Sequence, residues 1–136
     1  MSFRSKTNLP TSAEMRILNA VWQLGSATVD DIVNSFPEDQ RPNYKTTHAF
    51  LRIMENKVFV THTARGRVFV FEPVVKKEEI DQKSVEVLLA QNFGGSATGL
   101  LINLLETDAV PASDIAALEE MIRDYKRRKQ GELSDV

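Results

Sequence analysis

The amino-acid sequence predicts a mostly α-helical protein with one small β-hairpin, and three observations carry that prediction. Apolar residues recur at helical spacing through most of the chain. A single stretch, residues 58–72, switches to Val, Phe and Thr around a glycine-containing turn. Threonine or serine stands just before the helical stretches, where a hydroxyl can cap the first turn.

The first helix is expected from Ser12 to Leu24. Thr11 and Glu14 have capping-box spacing, so Thr11 caps the first turn while the Glu14 carboxylate reaches back to it. Ile17, Leu18, Val21 and Trp22 share one face, which reads as core, and Gly25 is placed to end the helix. A second, shorter helix follows a Thr28 cap, with Asp30 and Asp31 where the helix dipole favours negative charge. Val29, Ile32, Val33 and Phe36 are its apolar side, Pro37 ends it, and Glu38 to Pro42 read as loop.

The third helix, from Tyr44 to Lys57, carries two stripes. Thr47, Phe50, Leu51 and Met54 make the buried one. Lys45, His48, Ala49 and Arg52 make the other, which is cationic, able to hydrogen-bond, and kept low by the alanine methyl. Such a face fits a DNA major groove. No glycine is present where this helix must stop, and a β-branched valine is poor in a left-handed conformation, so Asn56 is the expected substitute.

Val58 to Thr63 and Arg67 to Glu72 then read as strands joined through Ala64-Arg65-Gly66, with Gly66 supplying positive φ. Three short helices followed by a two-stranded ribbon make a winged helix-turn-helix. Arg65 and Arg67 at the ribbon tip are placed to neutralise phosphates or probe a minor groove.

From Lys76 the β character disappears. Helices are expected over 78–91, 97–105 and 114–128, separated by Gly94-Gly95 and by a segment containing Pro111, with Ser96 and Ser113 as caps. Leu100, Leu101, Leu104 and Leu105, followed by Ile115, Leu118, Met121, Ile122 and Tyr125, line apolar sides. These helices are too few and too short to bury them within one chain, so a second copy is the expected cover. The domain reading is therefore a DNA-binding winged helix over 1–75 and a helical dimerisation region over 76–136, with a disordered tail after 129. The basic cluster Lys126–Lys129 reads as the solvated end of the last helix.

Composition limits the alternatives. The chain has 136 residues and no cysteine, so neither a disulfide framework nor a cysteine-based zinc site exists. Its longest apolar runs fall far short of the roughly 20 residues that span a bilayer, and the N-terminal residues are polar rather than signal-like. A cytoplasmic protein without membrane insertion is expected. The net charge of -2 argues against a nucleic-acid partner only until it is divided: residues 1–75 hold nine Lys and Arg against seven Asp and Glu, residues 76–136 eight against twelve. The basic surplus sits in the reader half.

Catalysis has thin support. The two histidines are His48, on the third helix, and His62, which reads as a satisfied strand residue, and no HExxH, GxSxG, SxxK or glycine-rich phosphate loop is present. The chain reads as a non-enzyme with no metal or cofactor. Two other readings compete. A ligand-sensing winged-helix dimer of the multiple-antibiotic-resistance type places dimerising helices before the winged helix, whereas here only a short stretch precedes Ser12. A winged helix serving as a protein-interaction module needs no Lys45, His48, Arg52 stripe together with Arg65 and Arg67, although Arg52 alone reads equally well as solvated surface.

The order of elements, with Leu9-Pro-Thr-Ser-Ala-Glu14 leading to Val21-Trp22, then Ala27-Thr28-Val29, Tyr44-Lys45-Thr46-Thr47 and Gly66-Arg67-Val68-Phe69-Val70-Phe71, resembles the penicillinase repressor family of bacterial transcriptional regulators. The resemblance covers about residues 9–129. It implies a homodimer that binds palindromic double-stranded operator DNA and represses transcription, with Lys45, Thr46 and His48 at the recognition-helix contact positions. Thr46, near the helix start, has a hydroxyl and an amide that could hold a phosphate. Relatives paired with β-lactam sensors imply a membrane sensor metalloprotease as partner and cleavage at the position of Asn103-Leu104. There Leu104 replaces the family's phenylalanine, and Asn103 reads equally as an ordinary polar helix residue. The copper-responsive branch uses a cysteine cluster that this chain lacks. The family's Lys-Gly after the recognition helix is Lys57-Val58 here.

Overall fold

The computed structural model describes residues 9–134. The polar N-terminal stretch and the last two residues lie outside them. The described residues form two compact units, the first ending at Glu86 and the second beginning at Val87.

The first unit contains α1 (Ser12–Leu24), α2 (Val29–Asn34), a 3-10 turn (Glu38–Gln40), α3 (Tyr44–Asn56), β1 (Val60–Arg65) and β2 (Val68–Pro73). This is a winged helix-turn-helix. The expected capping box at Thr11 is present: the Glu14 amide donates to Thr11 Oγ1 at 3.2 Å and the Thr11 amide to Glu14 Oε1 at 2.8 Å. The expected Thr28 cap is also present and is itself a capping box, since Thr28 and Asp31 exchange the same pair of bonds. α2 ends at Asn34, short of Pro37, with Ser35 as its C-cap donating its amide to the Asp31 and Ile32 carbonyls. Ile17, Leu18 and Val21 of α1 pack with Val29 and Ile32 of α2, Leu51 and Met54 of α3, and Phe59, Val60 and Phe71 to form the core.

β1 and β2 are antiparallel, with Val60 opposite Pro73 and Arg65 opposite Val68. Each strand begins later than the sequence suggests, β1 because residues 57–59 leave α3 in a turn and β2 because Arg67 belongs to the hairpin turn. Gly66 and Arg67 form a two-residue connection, and Gly66 at φ +64° takes the first turn position, which a type II′ hairpin reserves for glycine. Ala27 extends the ribbon by a single bridge: the Ala27 and Phe71 amides each donate to the other's carbonyl, at 2.9 and 2.8 Å.

The end of α3 corrects the sequence reading. The left-handed residue is Val58, at φ +68°, and not Asn56, which is still helical. The Phe59 amide donates to the Met54 carbonyl at 2.9 Å and the Val58 amide to the Glu55 carbonyl at 3.0 Å. Those bonds, with Phe59 and Met54 both buried, make a Schellman motif whose penultimate position is a valine. Asn56 lies two residues too early, because Lys57 completes the last turn.

The expected boundary at 75/76 also moves. α4 (Lys77–Asn92) begins inside the first unit, where Ile80 is buried in the core, and Trp22 Nε1 of α1 donates to the Val75 carbonyl at 3.0 Å. Residues 76–86 therefore belong to the winged-helix unit.

The second unit holds the end of α4, then α5 (Ala97–Glu106), a 3-10 turn (Ala112–Asp114) and α6 (Ile115–Ser134). Ser96 caps α5 as expected, accepting the Gly99 amide at 2.9 Å. Ser113 does not cap α6; it lies within the 3-10 turn that Pro111 introduces. α6 continues past residue 129 to Ser134, helped by Lys129 and Glu132 at i, i+3 spacing. The basic cluster at 126–129 thus lies inside the helix and not at its end. Arg127 pairs with Asp124 at 2.7 Å, and Arg128 and Lys129 flank the Tyr125 ring. No helix among the described residues is long and apolar enough to cross a membrane.

Candidate nucleic-acid interface

α3 presents its exposed face between two anchors. At its start Asn43, to which the sequence reading assigns no role, accepts the amides of Lys45 and Thr46 through Oδ1 at 2.8 and 3.2 Å. The local signal was legible, since asparagine directly precedes the first helical residue. The Thr46 amide, one of the two groups that the sequence reading offered to a phosphate, is thus engaged by Asn43. At the far end Lys57 Nζ donates to both carboxylate oxygens of Glu14, at 3.1 and 3.0 Å, and ties α3 to the start of α1. Glu14 is 2% exposed, so this carboxylate serves a cap and an ion pair at once. The ion pair joins residues 43 apart and leaves no trace in local spacing.

Between the anchors, Lys45, Thr46, Ala49 and Arg52 are exposed, as the two-stripe reading requires, while Thr47, Leu51 and Met54 are buried. His48 differs. It is half-buried, its ring lies parallel to Tyr44 at 6.5 Å, and it faces Phe69 of β2 at 6.4 Å. The sequence reading missed Tyr44, Ile53 and Asn56, which are also exposed on this helix. Their helical positions were legible, but their exposure depends on where the wing packs.

The wing is docked on the helix by His62. Its Nδ1 lies 2.8 Å from both carboxylate oxygens of Glu55 in the last turn of α3. The His62 ring stacks on Phe69 at 4.1 Å and meets Phe71 at 5.5 Å. His62 is thus the satisfied strand residue expected from sequence, and it also joins helix to wing. Arg65 and Arg67 are exposed at the hairpin tip.

The structure brings His48, Arg52 and Arg67 together. With Tyr44, Phe69 and the start of α2 they line one groove of about 480 Å³ between the recognition helix and the wing. Arg65, on the neighbouring strand end, does not line it. The groove is cationic on two walls and aromatic at its floor, with Asp30 as its acidic group. Among the described residues no group of three or more His, Asp or Glu is arranged to hold a metal ion.

Of the second-unit residues singled out from sequence, Leu101, Leu104, Leu105, Ile115, Leu118, Met121, Ile122 and Tyr125 are 39–64% exposed, and Leu100 is half-buried. Asn103 and Leu104 lie inside α5. There the Asn103 side-chain amide donates to the Gly99 carbonyl at 3.0 Å, and the Asn103 carbonyl accepts the Thr107 hydroxyl at 2.8 Å and its amide at 3.0 Å.

The penicillinase repressor of Bacillus licheniformis is 22% identical over 120 residues, covering 88% of this chain and 94% of the relative. The methicillin resistance regulatory protein MecI of Staphylococcus aureus is 20% identical over 118 residues, covering 87% and 96%. Among solved structures, the DNA-binding domain of the repressor BlaI aligns with a TM-score of 0.45 at 22% identity, over 51% of this chain and 84% of that one. The YusO protein from Bacillus subtilis aligns with a TM-score of 0.47 at 17% identity, over 87% and 75%. The penicillinase repressor family matches residues 10–124, the span that holds the capped helices, the wing and most of the apolar helices that follow, and the chain belongs to that family of transcriptional repressors.

Proposed function

We propose that this chain represses transcription in the cytoplasm as a homodimer that binds palindromic operator DNA, each copy placing α3 in a major groove and its hairpin beside the duplex. The observation that carries this is the continuous surface from Lys45, Ala49 and Arg52 through the groove to Arg67, held at both ends of α3 by Asn43 and the Glu14–Lys57 pair. In this reading Lys45 and His48 meet base edges, and Thr46, Arg65 and Arg67 meet phosphates.

The exposure of the apolar helices supports dimerisation. Within one copy, α5 and α6 contain no buried residue among those described, and their leucines, isoleucines and methionine stay in contact with water. A second copy laid against them would remove that apolar area and fix the spacing of two recognition helices. Each copy has a basic surplus of only two over residues 1–75, so useful affinity needs both half-sites.

Release by a sensor protease at Asn103-Leu104 would have to open α5 first. A protease binds its substrate extended, and the Asn103 carbonyl is engaged by Thr107.

The test is fluorescence anisotropy of the full chain on a duplex from its own upstream region, beside sedimentation of the free protein. A dimer with saturable, salt-sensitive binding is expected. Ile122→Lys changes a residue 58% exposed in one copy, so it should leave the helices intact while giving a monomer whose affinity falls toward the non-specific level. A monomeric variant that binds as tightly as the parent would show that dimerisation does not couple the half-sites.

A further inference from the structure

The cationic groove toward the wing is one flank of α3; the opposite flank is apolar and exposed. Thr46, Ala49, Phe50 and Ile53 line a shallow recess of about 340 Å³ there, with Lys45 at its edge. Ile53 is 47% exposed although Phe50, Leu51 and Met54 around it carry the packing, so core burial does not account for it. A single exposed isoleucine is ordinary on a protein surface. This one shares the recess with Ala49, four residues and about 6 Å earlier along the helix axis, beside the lysine of the recognition stripe.

We propose that Ala49 and Ile53 read the 5-methyl groups of thymines in the major groove, which makes them specificity-determining residues of the operator contact. Neither side chain can donate or accept a hydrogen bond, so neither can distinguish purine edges or the cytosine amino group. The thymine C5-methyl is the apolar group that a base pair presents in the major groove. The low alanine lets the helix approach closely, and the longer isoleucine reaches the next methyl, about two base steps on at 3.4 Å per step. Thr46 and Phe50 wall the recess and exclude water from the contact, and Lys45 supplies the attraction to DNA that an apolar strip lacks. The inference rests on the operator-binding reading above.

The experiment replaces thymines of the bound operator one at a time by deoxyuridine, which pairs identically but lacks the methyl. With the full parent chain, one or two positions per half-site should weaken binding about three- to fourfold each, the value of one buried methyl. Ile53→Ala should bind the thymine and deoxyuridine operators equally at one of those positions, and should retain the parent's salt dependence. Ile53→Gln, a good helix former at a half-exposed site, should do the same and guards against a folding defect in the alanine variant. Sensitivity below 1.5-fold at every thymine, or an unchanged thymine preference in both variants, would overturn the assignment while leaving operator binding intact. A parent chain that binds no DNA would overturn both readings together.

Discussion

Val58 gives the sharpest quantitative expectation. It holds φ +68° at the end of the recognition helix, a conformation that costs a residue with a β-carbon about 1–2 kcal/mol, with β-branched side chains at the upper end. Val58→Gly removes about 2 kcal/mol of strain. Against this, glycine gives the unfolded chain about 0.5 kcal/mol of extra freedom, and about 0.5 kcal/mol of burial is lost because the valine is already 49% exposed. The net stabilisation is about 1 kcal/mol, a rise in Tm of roughly 4–8 °C for a unit of this size. Val58→Ala is the control, since alanine keeps the β-carbon and about 1 kcal/mol of the strain while losing the methyl contacts, so it should melt close to the parent. Thermal melts followed by circular dichroism at one fixed protein concentration should place the glycine variant clearly above both valine and alanine. If alanine raised Tm as much as glycine, the side-chain branch and not the left-handed backbone would be the source of strain, and the reasoning would be wrong.

Other expectations concern the two anchors of α3 and its exposed face. Glu14→Gln keeps the acceptor for the Thr11 amide but removes the charge facing Lys57. That lysine is 36% exposed, so the cost should be about 2 kcal/mol, between a surface pair and a buried one, and an unchanged denaturant midpoint would contradict it. Asn43→Ala should cost about 1 kcal/mol and weaken operator binding by loosening the first turn, while Asn43→Asp should restore stability because its carboxylate caps equally well. Lys45→Ala should weaken binding by about 1–3 kcal/mol with altered sequence preference if it contacts a base, or lower the salt slope by about one if it contacts phosphate; no change in either removes it from the interface. Arg65→Ala and Arg67→Ala should lower affinity for all sequences alike, and a changed preference without general loss would refute the phosphate role.

The features legible in the sequence are those whose partners lie within a few residues. The capping box at Thr11, the Thr28 and Ser96 caps, the Gly66 turn and the buried stripe of α3 all follow from local spacing, and they appear where expected. Helix ends were less legible. α3 and α5 terminate by the same bonds, with a non-glycine residue at positive φ, Val58 in one and Asp108 in the other. Aspartate tolerates that conformation and valine does not, so propensity alone pointed to Asn56. What outweighs propensity at Val58 is the burial of the next residue, Phe59, against Met54. The place of Ile80 was likewise hidden, because a helix that begins after a hairpin gives no local sign of which core it joins.

The sequence by itself determined the kind of protein and the angular placement of side chains around the recognition helix, since both depend on periodicity and on neighbours along the chain. Tertiary structure alone decided which of those side chains remain open to a partner. Phe69 and Tyr44 partly cover His48, the wing brings Arg67 to Arg52, and Ile53 is left bare on the far flank. The Glu14–Lys57 and His62–Glu55 pairs that hold this arrangement join separate elements, and only the packed core brings them within bonding distance.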